Sequence, residues 1–276
     1  MLMPEVFDLN PAPWALVPEV LSGMVAWTPA TREQPEAEAM RVAQQSAIAF
    51  LPVQGVLTQR GDYRTTSTDG LHAAFNALAD DPTVGAIVLD IDSPGGSVGG
   101  IMEFAESILA ARERKPVVAA VNGTAASGAY WIASAADKIV ASPSSLVGSI
   151  GVYATHFDTS KLMDRMGVRP TLISAGKYKV EGNPFEPLGD EARAAMQEQV
   201  DLYYQHFVRS VAQGRRVAEA RVESQFGQGR VVQATQGAER GMVDKVGRMP
   251  AVLAAIRSSA RRSKAVAIQR LRFLAM

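Results

Sequence analysis

The chain has 276 residues, 47% hydrophobic and 20% charged, enough for one substantial core. It has no cysteine and three scattered histidines (His72, His156, His206), which excludes disulfides, thiolate metal sites and a cysteine nucleophile and offers no zinc spacing, so neither metal nor cofactor is expected. The 28 basic and 28 acidic residues are unevenly placed: from Lys245 onward there are eight basic residues and no acid, so an acidic body carries a basic end and nucleic acid is not the expected partner.

Residues 1–45 are rich in Pro, Ala and Glu and show no sustained period. They read as a partly extended arm with a short helix near 18–26, and Trp14 and Trp27 are candidate anchors to the body or to a neighbouring subunit. The first twenty residues carry Pro4, Glu5, Asp8, Pro11, Pro13, Pro18 and Glu19, unlike a signal peptide. No apolar run approaches the length of about 18 that a membrane span needs. A cytoplasmic protein with no membrane span is expected.

Residues 46–249 alternate between two periodicities. Strands are predicted at 47–53, 84–91, 116–121, 138–141 and 170–174, and helices at 69–79 (Asp69 as N-cap), 97–112, 128–136 and 159–166. The longest helix, 190–213, carries Met196, Val200, Tyr203, Phe207 and Val211 on one face, a core-packing stripe. A small strand–helix–strand piece follows at 230–232, 235–240 and 242–246. Alternation at this spacing predicts an α/β fold of βαβ units with right-handed crossovers. Residues 250–276 form a basic tail, expected to be helical.

Two small-residue loops follow predicted strands. In D-S-P-G-G-S at 92–97, glycines let a ligand approach the backbone, and free N–H groups there suit a phosphate or an oxyanion. The spacing G-G-S-V-G-G, with no acid after the next strand, departs from a dinucleotide fingerprint. In N-G-T-A-A-S-G-A-Y-W at 122–131, Ser127 is either a helix cap or a nucleophile with room for a substrate carbonyl. A serine nucleophile needs a base. His156 is one candidate; Lys177 and Lys179, in a Gly/Pro-bounded loop after a strand, are others. Ser174–Lys177 matches S-x-x-K, but S-D-N and K-T-G are absent.

Taken together, D-S-P-G-G-S at 92–97, N-G-x-A-A-S-G-x-Y-W at 122–131, G-S-I-G-V at 148–152, G-K-Y-K with N-P-F at 176–185 and a degraded G-x-V-D element ending at Asp244 resemble the signal peptide peptidase A (protease IV) family over residues 48–246. The resemblance implies a ClpP/crotonase-like fold, a spiral of ββα units, and a Ser–Lys dyad. Residue by residue, the nucleophile falls on Ser127, the general base on Lys179, the hydroxyl that orients the lysine on Ser149, and the oxyanion donors on the backbones of Gly96 and Gly128. A free lysine, with a pKa of about 10.4, is a poor base at neutral pH, and burial is the usual way to make it a better one. On an extended segment Lys177 and Lys179 should point to opposite sides.

Within that family the chain departs from membrane-anchored members and looks more like the phage branch, whose members, similar to the lambda head protease, cut scaffold or portal protein; the host cytoplasm or an assembling prohead is then the expected place. A polypeptide substrate and a ring-like homo-oligomer, with the cleft built between subunits, are therefore expected. A host peptidase, a crotonase-like acyl-CoA enzyme and a non-catalytic capsid assembly module are the alternatives. The tail residues Arg257, Arg261, Arg262, Lys264, Arg270 and Arg272 suit either a solvated helix or a docking segment for an acidic scaffold.

Overall fold

The computed structural model describes residues 14–16, 48–248, 250–252 and 254–256. Strands β1 (Trp14–Leu16), β2 (Ile48–Thr58), β3 (Thr65–Ser67), β4 (Ala86–Ser97), β5 (Val117–Ala126), β6 (Lys138–Ala141), β7 (Leu146–Gly148), β8 (Val231–Gln233) and β9 (Lys245–Val246) join one sheet. Helices α1 (Thr68–Asp80), α2 (Ile101–Ala111), α3 (Gly128–Ser134), α4 (Ser160–Arg165), α5 (Asp190–Arg215), α6 (Glu219–Gln225) and α7 (Ala234–Arg240) connect or cover them. The proposed helix near 18–26 and the tail beyond 256 lie outside the described residues.

The main ladder runs β3-β2-β4-β5-β6-β9, parallel at every step. Parallel strands are usually buried on both faces, so they read as continuous apolar runs. Here Ile87, Leu89, Ile91, Val117, Ala119 and Val121 point into the larger core beneath the helices. Ala86, Val88, Val118, Ala120 and Val140 point to the other face, which Ala251, Val252 and Ile256 cover. The start of the tail is thus a lid on the sheet, as a packed helix would be.

Strands β4 and β5 run further than the sequence predicts. The apolar runs end near Ile91 and Val121, and the glycine loops after them continue as strand. At these points the ladders change partner. Strand β5 pairs with β6 through Val118–Val121 and then with β7 through Thr124–Ala126. Strand β4 follows β5 only as far as Ser93 opposite Ala125, while Gly95 and Gly96 stay with β2 at Val56 and Leu57. Each long strand therefore serves two sheet segments before its helix, which is the ββα repeat of the ClpP/crotonase-like fold. Polar side chains hold the corner: Asn122 Nδ2 donates to Asp90 Oδ1 at 2.6 Å, and the Thr124 N–H donates to Asp92 Oδ1 at 3.0 Å.

Three further expectations need correction. The cap of α1 is Ser67, whose Oγ accepts from the Gly70 N–H at 2.9 Å; Asp69 lies inside the first turn. The strand predicted at 170–174 does not form: these residues are irregular and exposed, with no neighbouring strand to pair with among the described residues. The stripe on α5 is core only in its C-terminal half, where Phe207 and Val211 are buried while Met196, Val200 and Tyr203 are half-buried.

Candidate active site

Ser127 stands between the end of β5 and the start of α3, at φ 53° and ψ −123°. A non-glycine residue at positive φ is strained, and such strain persists where surrounding structure fixes it. That structure is visible. The Ser127 N–H donates to the Gly148 carbonyl at 2.7 Å, and the Ser127 carbonyl accepts from the Trp131 N–H at 2.9 Å. Trp131 is itself stacked on Phe207, ring centroids 4.5 Å apart, and the neighbouring Tyr130 hydroxyl donates to the Met242 carbonyl at 3.0 Å. Burial pushes the Tyr130 phenol well above its usual range, so it stays a neutral donor. The Y-W pair of the second motif is therefore a core anchor for the turn that carries the serine.

The helix-cap reading of Ser127 does not hold: its side chain makes no capping hydrogen bond. Its Oγ is 3.5 Å from the Gly151 carbonyl, a loose contact that leaves the hydroxyl available. Ser127 thus sits on a strained turn at a strand-to-helix junction.

The G-S-I-G-V segment wraps this turn. Gly148 is the register partner of Ala126, so Ser149 follows Gly148 just as Ser127 follows Ala126. Ser149 is also at φ 53°, is 7% exposed, and its N–H donates to the Arg230 carbonyl at 2.9 Å. The fold thus brings Ser127 and the Ser149 loop together.

The glycines fall into two groups. A Cβ on Gly96 would lie 1.7 Å from the Leu57 carbonyl oxygen, so close approach to β2 alone requires glycine there. Gly95 takes φ 94°, and its N–H donates to Ser93 Oγ at 3.1 Å. Gly128 opens α3, and among the described residues its N–H has no acceptor, as expected for a first helical residue.

The lysine loop lies apart. Residues 175–182 are turns, not the extended segment expected, and Lys177 and Lys179 are both exposed. They differ in their partners. Lys177 Nζ donates to Tyr178 Oη at 2.6 Å and to Glu191 Oε1 at 2.9 Å. The bonds to Tyr178 and Glu191 raise the Lys177 pKa and lower that of Glu191. The Lys179 amine has no hydrogen-bond partner among the described residues, and none joins it to Ser127. Lys179 lines an open groove with His156, Phe157, Leu172, Asn183 and Met196. His156 Nε2 is 3.0 Å from the Asn183 carbonyl, to which it donates, and this fixes the ring as a brace of its own loop. No group of three or more His, Asp or Glu able to hold a metal occurs among the described residues, and no described helix is long and apolar enough to cross a membrane.

Sequence reading missed three features of this region. Asp92 and Ser93 hold the first glycine loop in place; Tyr178 and Glu191 tie down Lys177; and β1 lies along β4. Asp92, Ser93 and Tyr178 were visible in the motifs, but Thr124 lies 32 residues from Asp92, and Glu191 lies outside the motifs, 14 residues from Lys177.

Comparison with known proteins accords with this geometry. The model of peptidase family S49 matches residues 110–262. The head-tail preconnector protein GP5 of Enterobacteria phage P21 is 36% identical over 206 residues, 73% of this chain and 41% of that protein. Capsid assembly protease C of Escherichia phage lambda is 36% identical over 172 residues, 60% and 39% of the two chains. A putative signal peptide peptidase SppA of Enterococcus faecium is 30% identical over 211 residues, 74% and 61%. The chain spans about two fifths of the length of the two phage relatives. With the S49 model matching more than half of its length, including Ser127, Ser149 and the lysine loop, the chain belongs to peptidase family S49.

Proposed function

We propose that this chain is a serine endopeptidase in which Ser127 is the nucleophile and Lys179 the general base. The observation that carries the reading is Ser127 itself, held at positive φ on a strand-to-helix turn with its hydroxyl free of capping duty. Lys179 takes the base role because its amine is unengaged, whereas Lys177 is held protonated by Tyr178 and Glu191.

The reaction follows from these groups. Ser127 Oγ attacks the scissile carbonyl carbon as its proton passes to the Lys179 amine. The N–H groups of Gly96 and Gly128 stabilise the tetrahedral oxyanion. Collapse breaks the C–N bond, and the lysine returns its proton to the leaving amine. A water molecule then hydrolyses the acyl ester by the same base, restoring Ser127. Ser149 orients the lysine amine at close range.

Because Lys179 is exposed within one subunit and Ser127 is 1% exposed, the dyad is completed between copies of the chain in a ring-like homo-oligomer. Residues 155–185 supply the joining surface: Phe157, Leu162, Met166 and Ile173 are apolar and exposed, Ile173 by 97%. Exposed apolar patches of this kind mark association sites, and desolvation there is what a lysine base requires. The substrate is a polypeptide, and similarity to phage proteins points to prohead maturation, with scaffold or portal protein cut in the host cytoplasm or prohead.

Labelling with a fluorophosphonate probe tests the core of this reading. The wild-type protein should acquire one adduct at Ser127, and Ser127→Ala none. Absence of an adduct in a folded wild-type oligomer would remove the nucleophile and favour an acyl-CoA enzyme or an assembly module.

A further inference from the structure

Strand β1 occupies an unusual place. It pairs antiparallel with the last residues of β4: Trp14 with Ser97, Ala15 with Gly96, Leu16 with Gly95. A strand has two edges. On one, Gly95 and Gly96 already pair with Val56 and Leu57 of β2. Strand β1 therefore takes the other edge, the one along which β5 lies from Ile87 to Ser93. Strand β5 leaves that edge after Ser93 opposite Ala125. If the register ran on by two residues, Gly95 would stand level with Ser127. Instead the strands part, and Leu16 is the residue opposite Gly95.

We infer that the Gly95–Ser97 edge of β4 is the docking edge for the backbone of an extended polypeptide, and that in this chain the N-terminal segment Trp14–Leu16 occupies it, competing with substrate. This rests on the assignment of Ser127 as nucleophile. An open edge accepts a foreign strand through main-chain hydrogen bonds. The gap between the end of β4 and Ser127 is where a peptide must lie for its carbonyl to reach both Ser127 and the Gly96 backbone. The chain's own strand lies along the β4 side of it, paired with Gly95–Ser97.

The occupant is suited to leave. Among the described residues its ladder is three residues long and pairs with β4 alone, and so short a ladder is weak by itself. What keeps it there is the tether. Thirty-one residues separate Leu16 from Ile48, and membership of the same chain makes its return to the edge an intramolecular event, favoured over capture of a dilute peptide. A dilute peptide competes poorly with such an arm, whereas a substrate concentrated in a particle or bound at a second point displaces it. The arm is thus a built-in threshold against cleavage of passing polypeptides.

The test compares the full chain with a full-length variant carrying Trp14→Gly, Ala15→Pro and Leu16→Gly, changes that weaken strand pairing and remove one N–H donor. Two results are expected together. Amide hydrogen exchange over residues 96–97 should quicken by about tenfold or more in the variant as the edge is uncovered, the Gly95 N–H being held by Ser93 in either case. The KM for an extended peptide should fall by about tenfold with kcat within about twofold, as for release of an intramolecular competitor. Failure of either result overturns the proposal. Ser127→Ala is the control for the reading beneath it. Turnover persisting in that variant sinks the nucleophile assignment, a result distinct from a Ser127-dependent enzyme whose KM ignores the arm.

Discussion

At the residue scale, two lysines two positions apart have different chemistry because of what they touch. Lys177 is bonded to Tyr178 and Glu191, which raise its pKa and keep it protonated through neutral pH into the alkaline range. A protonated amine cannot accept the serine proton. Lys179→Ala should therefore lower kcat/KM by about 10³-fold or more, as removal of a catalytic base does. Lys177→Ala should stay within about threefold. Peptide hydrolysis assays on both variants check this, and equal losses mean the base is misassigned. Ser149→Ala should be milder than Lys179→Ala, since it misplaces the base without removing it. Activity should rise with pH from neutral to alkaline; a profile set near pH 6.5 and lost in His156→Ala would instead identify a histidine base.

At the element scale, the G-x-V-D piece ending at Asp244 proves to be a brace. Asp244 accepts from Lys138 Nζ at 2.9 Å and from the Ile139 N–H at 2.9 Å, and pairs with Arg215 at 2.8 Å. One carboxylate thereby ties β6 and the end of α5 to the approach of β9. Burial pushes the Asp244 pKa up, but Arg215 and the hydrogen bonds outweigh it and hold the group below its ordinary value of 3.8. A depressed folded-state pKa means that this stabilisation is complete above the ordinary aspartate range and is lost as pH falls below it. Asp244→Ala should cost about 3 kcal/mol, because Arg215, its side chain 7% exposed, is left buried without its carboxylate. Thermal or urea unfolding at pH 7 measures the loss, and the gap between variant and wild type should narrow toward pH 3. A gap that does not narrow means that packing, not charge, carries Asp244.

At the scale of the whole molecule, the subunit divides into a finished half and an unfinished one. The sheet, α1, α2, α3 and the C-terminal half of α5 share a continuous core. Helix α4 has no buried residue, and the segment around it exposes Phe157, Leu162, Met166 and Ile173. If a neighbouring copy covers this segment and receives its Lys179, inactive subunits should repair one another. Mixing Ser127→Ala and Lys179→Ala proteins under subunit exchange should recover about a quarter of wild-type activity, since a site formed head-to-tail draws its serine and its lysine from different subunits at random. No recovery in mixed oligomers, confirmed by differential tagging, means that both residues act within one subunit.

Local chemistry made much of this protein legible in its sequence. Apolar runs such as 86–91 and 117–121 announce parallel strands because both faces are buried, and the small residues around Ser127 announce a turn because only they fit one. The order of the motifs led to a peptidase of family S49 and to Ser127, Ser149, Lys179, Gly96 and Gly128 as its candidate site. Tertiary structure alone decided what depends on distant partners. The glycine loops became strand because β2 and β7 were there to pair with them. The strand expected at 170–174 did not form because it had no neighbour. Lys177 was set apart from Lys179 by a glutamate on α5. The N-terminal arm, which shows no periodicity of its own, acquired a strand only because β4 and β5 part beside Ser127 and leave an edge for it to fill.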